Sequence, residues 1–177
     1  SILDLENKKK YFRQELKKLP FKKDSLRIKV RRNGSDLFTD SFGTLWHRKP
    51  EEWRSKLGVT FAGEEAVDAG GVKREWLTIL SKEMFNPNYM LFTLAKNGTT
   101  YTINSDSGKY NPDHLKQFEF VGKIMAKAIF DSMMLDCYFT RIIYKLITNT
   151  PLSYHDMEDY DPVFYNSLKW LLENDFT

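Results

Sequence analysis

Three acids, Glu64, Glu65 and Asp68, stand just before a glycine pair and two cations in the string Phe61-Ala-Gly-Glu-Glu-Ala-Val-Asp-Ala-Gly-Gly-Val-Lys-Arg-Glu-Trp76. A glycine-rich turn ahead of a helix can hold phosphate on its free N–H groups. Here the acids would repel the anion, and no Gly-Lys-Ser/Thr follows. The carboxylates are left to cap N–H groups or to pair with Lys73 and Arg74. Gly70-Gly71 predicts a turn that a Cβ would resist. A strand then ends near Phe61, and a helix starts near Gly71 with Val72, Trp76, Ile79 and Leu80 at helical spacing.

Cys137 is the one cysteine, and as a nucleophile it would need a base or a helix N-terminus to lower its pKa. Its setting, Met133-Met-Leu-Asp-Cys-Tyr-Phe139, is apolar with an adjacent acid, so it reads as a buried packing residue. His47, His114 and His155 are too scattered for a zinc spacing. The acids Asp156, Glu158, Asp159 and Asp161 lack the alternation and central glycine of a calcium loop and read as a solvated loop that caps helices. No catalytic residue, metal site or cofactor follows from these residues, and no Gly-x-Ser-x-Gly elbow is readable.

The elements that position these groups mix helix and strand. A helix covers about 4–18 and stops before Pro20. Leu26, Ile28 and Val30 then alternate with basic residues as a half-buried strand ending at Asn33-Gly34. Phe42, Leu45 and Trp46 mark a short helix. Pro50 opens another with Glu51 and Glu52 in its first turn, Gly58 suits its C-terminal cap, and Val59-Thr60-Phe61 is a strand. Segments 89–94 and 99–104 flank Asn97-Gly98 as a tight hairpin. Asn111 and Pro112 introduce the longest helix, about 113–130, whose apolar residues surround most of its circumference and place it at the centre, with Gly122, Ala126 and Ala128 admitting close neighbours. Further helices run over about 136–148, closed by Pro151, and from Asp161-Pro162 to about Asn174. The class is α+β, mainly helical.

A chain of 177 residues can build one domain with a real core, and 41% hydrophobic with 15% aromatic content excludes disorder for most of it. No apolar run reaches the ~20 residues of a membrane helix, and the first residues lack the order of a signal peptide. A single cysteine suits a reducing cytosol or nucleus. Residues 1–32 hold twelve Lys/Arg against four Asp/Glu, a net +8, leaving −5 for the rest of a chain whose total is +3. With Leu5, Phe12, Leu16 and Leu19 on one side, this basic arm reads as a solvated face of a packed helix. Binding of nucleic acid or of an acidic partner by a non-enzymatic module is the competing reading.

The string 61–76 resembles the signature of the HECT-type ubiquitin ligases. The resemblance continues through Glu83-Met-Phe-Asn-Pro-Asn-Tyr-Met-Leu-Phe92, Tyr101-Thr-Ile-Asn104, His114-Leu-Lys-Gln-Phe-Glu-Phe-Val-Gly-Lys-Ile124 and Tyr165-Asn-Ser-Leu-Lys-Trp-Leu-Leu-Glu-Asn174, in the family's order. Lys9-Lys-Tyr-Phe-Arg-Gln-Glu-Leu16 is similar to the helix that precedes the domain in the very large members. The resemblance implies a basic amphipathic helix at 1–20 and, over 21–177, most of the N-terminal lobe of a HECT domain. That lobe docks a ubiquitin-conjugating enzyme, and ubiquitin passes to a cysteine on a separate C-terminal lobe and then to a lysine of a protein substrate. The family's catalytic Thr-Cys motif is absent here and the conjugating-enzyme subdomain is incomplete, so the isolated chain is expected to be inactive, with its substrate recognised elsewhere. The positions that grip the conjugating enzyme fall on Phe164, Ser167, Leu168 and Leu171, with Asn174 at the edge. The hairpin that meets ubiquitin in some relatives carries Leu94, where the resemblance would place a tyrosine, and Tyr101.

Overall fold

The computed structural model describes residues 4–65 and 69–174. The described chain is mainly helical with two separate two-stranded sheets, the α+β class expected. It divides into two compact units, Ser1–Leu80 with Glu119–Leu135 and Ser81–Phe118 with Asp136–Thr177.

In the first unit, α1 (Leu5–Lys18) starts where the Asp4 carboxylate accepts from the Asn7 N–H at 2.8 Å. It stops at Leu19, which Pro20 holds extended. Leu26, Ile28 and Val30 of β1 (Lys22–Val30) point inward and pair in parallel with Leu57, Val59 and Phe61 of β2 (Ser55–Phe61). Parallel neighbours need a crossover, and α2 (Gly34–Leu45) supplies it. Asn33-Gly34 therefore starts this helix rather than closing a turn, and α2 is longer than expected because Leu37, Phe38, Ser41 and Leu45 all bury along one stripe. The helix expected at Pro50 is only a single 3₁₀ turn, Glu52–Arg54. Gly58 is not its cap but lies inside β2, because alternating Leu57, Val59 and Phe61 must reach the core.

Gly70 and Gly71 are also displaced from their expected role. They form the first turn of α3 (Ala69–Glu83), and the left-handed residue of the strand exit is Gly63, at φ +81°. Asp68 lies outside the described residues. On α5 (His114–Phe130), started by the Asn111 side chain accepting from the Asp113 N–H, Phe120 and Ile124 are fully buried. The Phe120 ring meets Phe38 and Phe42 edge-on at 5.8 and 5.6 Å. Apolar burial does not encircle this helix. Leu115 and Ile129 are exposed and Gly122 faces open space, whereas Lys127 is buried.

In the second unit, β3 (Phe92–Leu94) and β4 (Tyr101–Ile103) form the expected antiparallel hairpin. Six residues, 95–100, join the strands rather than two, with the Ala95 N–H donating to the Thr100 carbonyl at 2.7 Å. Only Gly98 is left-handed, at φ +74°, while the Asn97 Oδ1 accepts from the N–H groups of Thr99 and Thr100 at 2.9 and 3.1 Å. After the short α4 (Ser107–Tyr110), the chain returns to the hairpin as an extended segment. The Tyr101 N–H donates to the Tyr138 carbonyl at 2.7 Å, and the Thr140 N–H donates to that of Tyr101 at 3.0 Å. Pairing with the free edge of β4 thus displaces the helix expected from 136, and α6 spans only Arg141–Ile147. Rings of Phe85, Phe92 and Phe139 close beneath at 5.2–5.4 Å. The unit ends in α7 (Met157–Tyr160) and α8 (Pro162–Glu173).

Candidate functional site

Among the described residues, Glu64 and Glu75 of the 61–76 string pair with Arg32 rather than with Lys73 and Arg74. Glu64 takes the Arg32 guanidinium in two bonds, at 2.7 and 2.5 Å, Glu75 binds the same group, and the guanidinium lies 4.1 Å over the Phe61 ring. Lys73 reaches Asp131 at 3.2 Å instead. The physical reason is the parallel sheet: β1 ends beside the exit of β2, so the cation that follows β1 arrives where the acids after β2 emerge. Trp76 is buried on the inner face of α3 and donates its indole N–H to Ser41 at 2.9 Å. Among the described residues, Glu64, Glu75 and Trp76 of this string serve as a brace.

The acidic loop is where α8 is set in place. Asp161 caps α8 through the Phe164 N–H at 3.1 Å and binds the Lys96 ammonium at 2.5 Å. The Lys96 N–H donates to the Tyr160 carbonyl at 3.1 Å. The Asn97 amide donates to the Asp159 carbonyl at 2.6 Å and carboxylate at 2.9 Å, and the other Asp159 oxygen accepts from the Arg141 N–H at 2.6 Å. Asp156 binds Lys145 at 2.8 Å and the Ser153 N–H at 2.7 Å. Capping and solvation were both expected of these acids, and for Asp156 and Asp161 the expectation of solvation is not met. Both are buried, and hydrogen bonds replace water at the two Asp161 oxygens and at Asp156 Oδ2, whereas Asp156 Oδ1 has no partner among the described residues.

Those partners titrate the loop. The Lys145 hydrogen bond holds Asp156 below the usual carboxylate range, and that of Lys96 does the same for Asp161. A carboxylate whose folded pKa is depressed contributes stability that is fully present above its unfolded value of about 4 and is lost as pH falls through the lower, folded value. Thermal melts from neutral pH downward are expected to hold until about pH 4 and then to fall. Lys96→Met with Lys145→Met should flatten that fall, and an acid limb unchanged in the double variant would exclude these two pairs as its source.

Along α8, Phe164, Ser167, Leu171 and Asn174 are exposed and Leu168 is half-buried, so one row of the helix carries all five predicted contact residues. No residue of α8 is buried, and Val163, Trp170 and Leu172 are exposed beside the row. Leu94 and Tyr101, the predicted hairpin residues, are cross-strand partners. Leu94 is 52% exposed, whereas Tyr101 packs its ring 4.3 Å from that of Phe85. Among the groups that sequence reasoning missed, Lys96 and Asn97 have the only signal it could have used, a turn dipeptide next to a lysine.

Cys137 is half-buried in the extended segment rather than fully buried. Burial and the neighbouring Asp136 both push its thiol up. The histidines serve locally: His114 meets the Ser107 hydroxyl at 3.0 Å and His155 meets that of Tyr165 at 3.3 Å. A thiol raised in this way exchanges slowly, so the chain is expected to form no ubiquitin thioester when mixed with charged conjugating enzyme. Electrophoresis with and without reductant checks this, and a reductant-sensitive adduct lost in Cys137→Ala would reverse it.

Comparison with known proteins places this geometry. E3 ubiquitin-protein ligase HUWE1 of Mus musculus is 49% identical over 177 residues, covering 98% of this chain and 4% of the relative. E3 ubiquitin-protein ligase TOM1 of Saccharomyces cerevisiae is 47% identical over 178 residues, covering 99% of this chain and 5% of the relative. E3 ubiquitin-protein ligase UPL1 of Arabidopsis thaliana is 44% identical over 176 residues, covering 98% and 5%. The chain thus spans about 5% of the length of the curated relatives it matches. A family model described as HECT-domain (ubiquitin-transferase) matches residues 78–177, from within α3 through α8. Matched over more than half of its length in this way, the chain belongs to the HECT-domain family.

Proposed function

We propose that the chain is most of the N-terminal lobe of a HECT-type ubiquitin ligase and that it docks a ubiquitin-conjugating enzyme on α8, so that ubiquitin passes to a cysteine of a separate lobe and then to a substrate lysine. The observation that carries the reading is the exposed row on α8. Phe164 and Leu171 offer apolar anchors, Leu168 between them is only half-covered by the chain, and Ser167 and Asn174 supply a polar rim. A few such anchors, desolvated on binding, carry most of the energy of a transient interface. Asp161 and Asp159, held by Lys96 and Asn97, fix where that row begins.

Truncating a leucine anchor costs about 1–3 kcal/mol, roughly a ten- to hundredfold loss of affinity. Leu168→Ala is therefore expected to weaken binding of a conjugating enzyme by that factor in calorimetric titration, with folding checked by thermal melt. Phe164→Ala, at an exposed position, should weaken binding without moving the melt. Undiminished affinity in both variants would assign the row to packing. On the same reading Leu94 meets ubiquitin, a role that its exposure on the hairpin and its cross-strand pairing with Tyr101 support. Loss of ubiquitin-induced NMR shifts in Leu94→Ala would be the sign of that contact.

A further inference from the structure

The outward face of the β1–β2 sheet is cationic. Leu26, Ile28 and Val30 with Leu57, Val59 and Phe61 take the buried side. Alternation leaves Ser25, Arg27 and Lys29 of β1 and Lys56 and Thr60 of β2 exposed on the other, with the half-buried Gly58 between them. Three of these six residues are cations and none is an acid.

The cations that follow β1 are all engaged. Arg31 pairs with Asp36 at 3.0 Å and Asp40 at 2.8 Å, and Arg32 is taken by Glu64 and Glu75. Arg27, Lys29 and Lys56, by contrast, make no ion pair among the described residues. The sheet also gathers them. A Cβ at Gly58 would stand 3.7 Å from Arg27 Cγ, so the Arg27 stem leans onto β2, and its Nε donates to Ser25 Oγ at 3.2 Å. Ser25 is the register partner of Lys56. Two cations are thus brought toward one serine, where they repel each other until an anion comes between. Lys29 follows two residues along the strand, about 6.6 Å beyond Arg27.

That interval selects the partner. In an extended peptide, side chains two residues apart share a face at the same spacing, so carboxylates at alternate positions meet the Arg27 and Lys56 pair and then Lys29. We propose that this face binds an extended acidic segment of a partner protein, of the form Glu-x-Glu, with the Ser25 and Thr60 hydroxyls as neutral donors beside the cations. No aromatic side chain stands among the six residues, so the stacking platform that single-stranded nucleic acid uses is missing, and three cations are few for a duplex. The face lies in the first unit and shares no residue with α8, so it is independent of the docking reading.

The test is amide NMR titration of the ¹⁵N-labelled 177-residue chain, at low salt, with the capped peptide Ser-Glu-Ser-Glu-Ser-Glu-Ser and its counterpart with glutamine for glutamate. The acidic peptide is expected to shift the amides of residues 25–29 and 56–60 saturably. Exposed ion pairs contribute a few-fold each, so the glutamine peptide should bind about thirtyfold more weakly, and salt at about 1 M should abolish the shifts. Lys56→Glu, at an exposed position without an ion pair to lose, turns an attraction into a repulsion and should weaken the acidic peptide about tenfold. Arg74→Glu, the same change of charge at an exposed position of α3, should leave it within about twofold. No saturable shift with millimolar acidic peptide, equal affinities of the two peptides, equal effects of Lys56→Glu and Arg74→Glu, or a DNA duplex that shifts the same amides at lower concentration would each overturn the proposal.

Discussion

Lys127→Met is expected to destabilise the chain by about 3 kcal/mol, at the lower end of the cost of breaking a buried ion pair by removing one partner. Lys127 is 4% exposed, and its ammonium satisfies the Ser55 carbonyl at 2.7 Å and Asp131 at 3.0 Å. Methionine fills much of the same volume, so what is lost is polar: a carbonyl at the start of β2 without its donor, and a carboxylate that keeps only Lys73 at 3.2 Å. That remaining lysine is why the lower end of the range applies. Burial pushes the Lys127 pKa down despite Asp131. A lysine whose folded pKa is depressed binds its proton more weakly than in the unfolded chain, so stability should rise as pH climbs from the folded value toward about 10.4, the unfolded one. Urea melts of Lys127→Met, of Asp131→Asn and of the two together give the coupling, and the double variant should recover part of the loss. Equal stabilities of wild type and single variant would show that the pair is dispensable.

Trp76→Ala is expected to cost about 3–5 kcal/mol, the range for deleting a large buried aromatic side chain. The side chain is 1% exposed, and its N–H ends on Ser41, which is itself fully buried. Trp76→Phe separates the two contributions. Most of the packing survives, but the Ser41 hydroxyl loses its partner, at a cost of about 1–3 kcal/mol. If phenylalanine were as destabilising as alanine, the hydrogen bond rather than ring burial would dominate this part of the signature. Denaturant unfolding of the three proteins, at constant slope, is the measurement.

Features set by neighbours in sequence were legible. Asp4 before α1 and Pro20 after it, the alternation of Leu26, Ile28 and Val30, Asn111 before α5, and Asp161-Pro162 before α8 all act within a few residues, and each placed its element. What escaped was decided at a distance. Nothing near Gly58 says that its segment will lie parallel to β1, and Pro50 with two acids mimics a helix start. Tyr138 and Thr140 are drawn out of α6 by a free strand edge nearly forty residues earlier. Lys127 looks like the wet side of a helix until Asp131 and the start of β2 are placed against it. Within the candidate site, the α8 row was legible because it rests on one helix's periodicity and on family likeness. The Lys96 and Asn97 contacts that fix its start cross more than sixty residues of chain and leave no local trace.

The clasp between the hairpin turn and the start of α8 also orders events as the chain is made. Lys96 precedes Asp161 by 65 residues. At the pace of ribosomal synthesis, that separation gives the hairpin a head start of roughly 3–13 s, whereas hairpins close in about 1–10 μs. The receiving surface is therefore complete long before the segment it seizes is synthesised. The last helix is born onto a finished template, and its first turn is registered by an amide and an ammonium already in position.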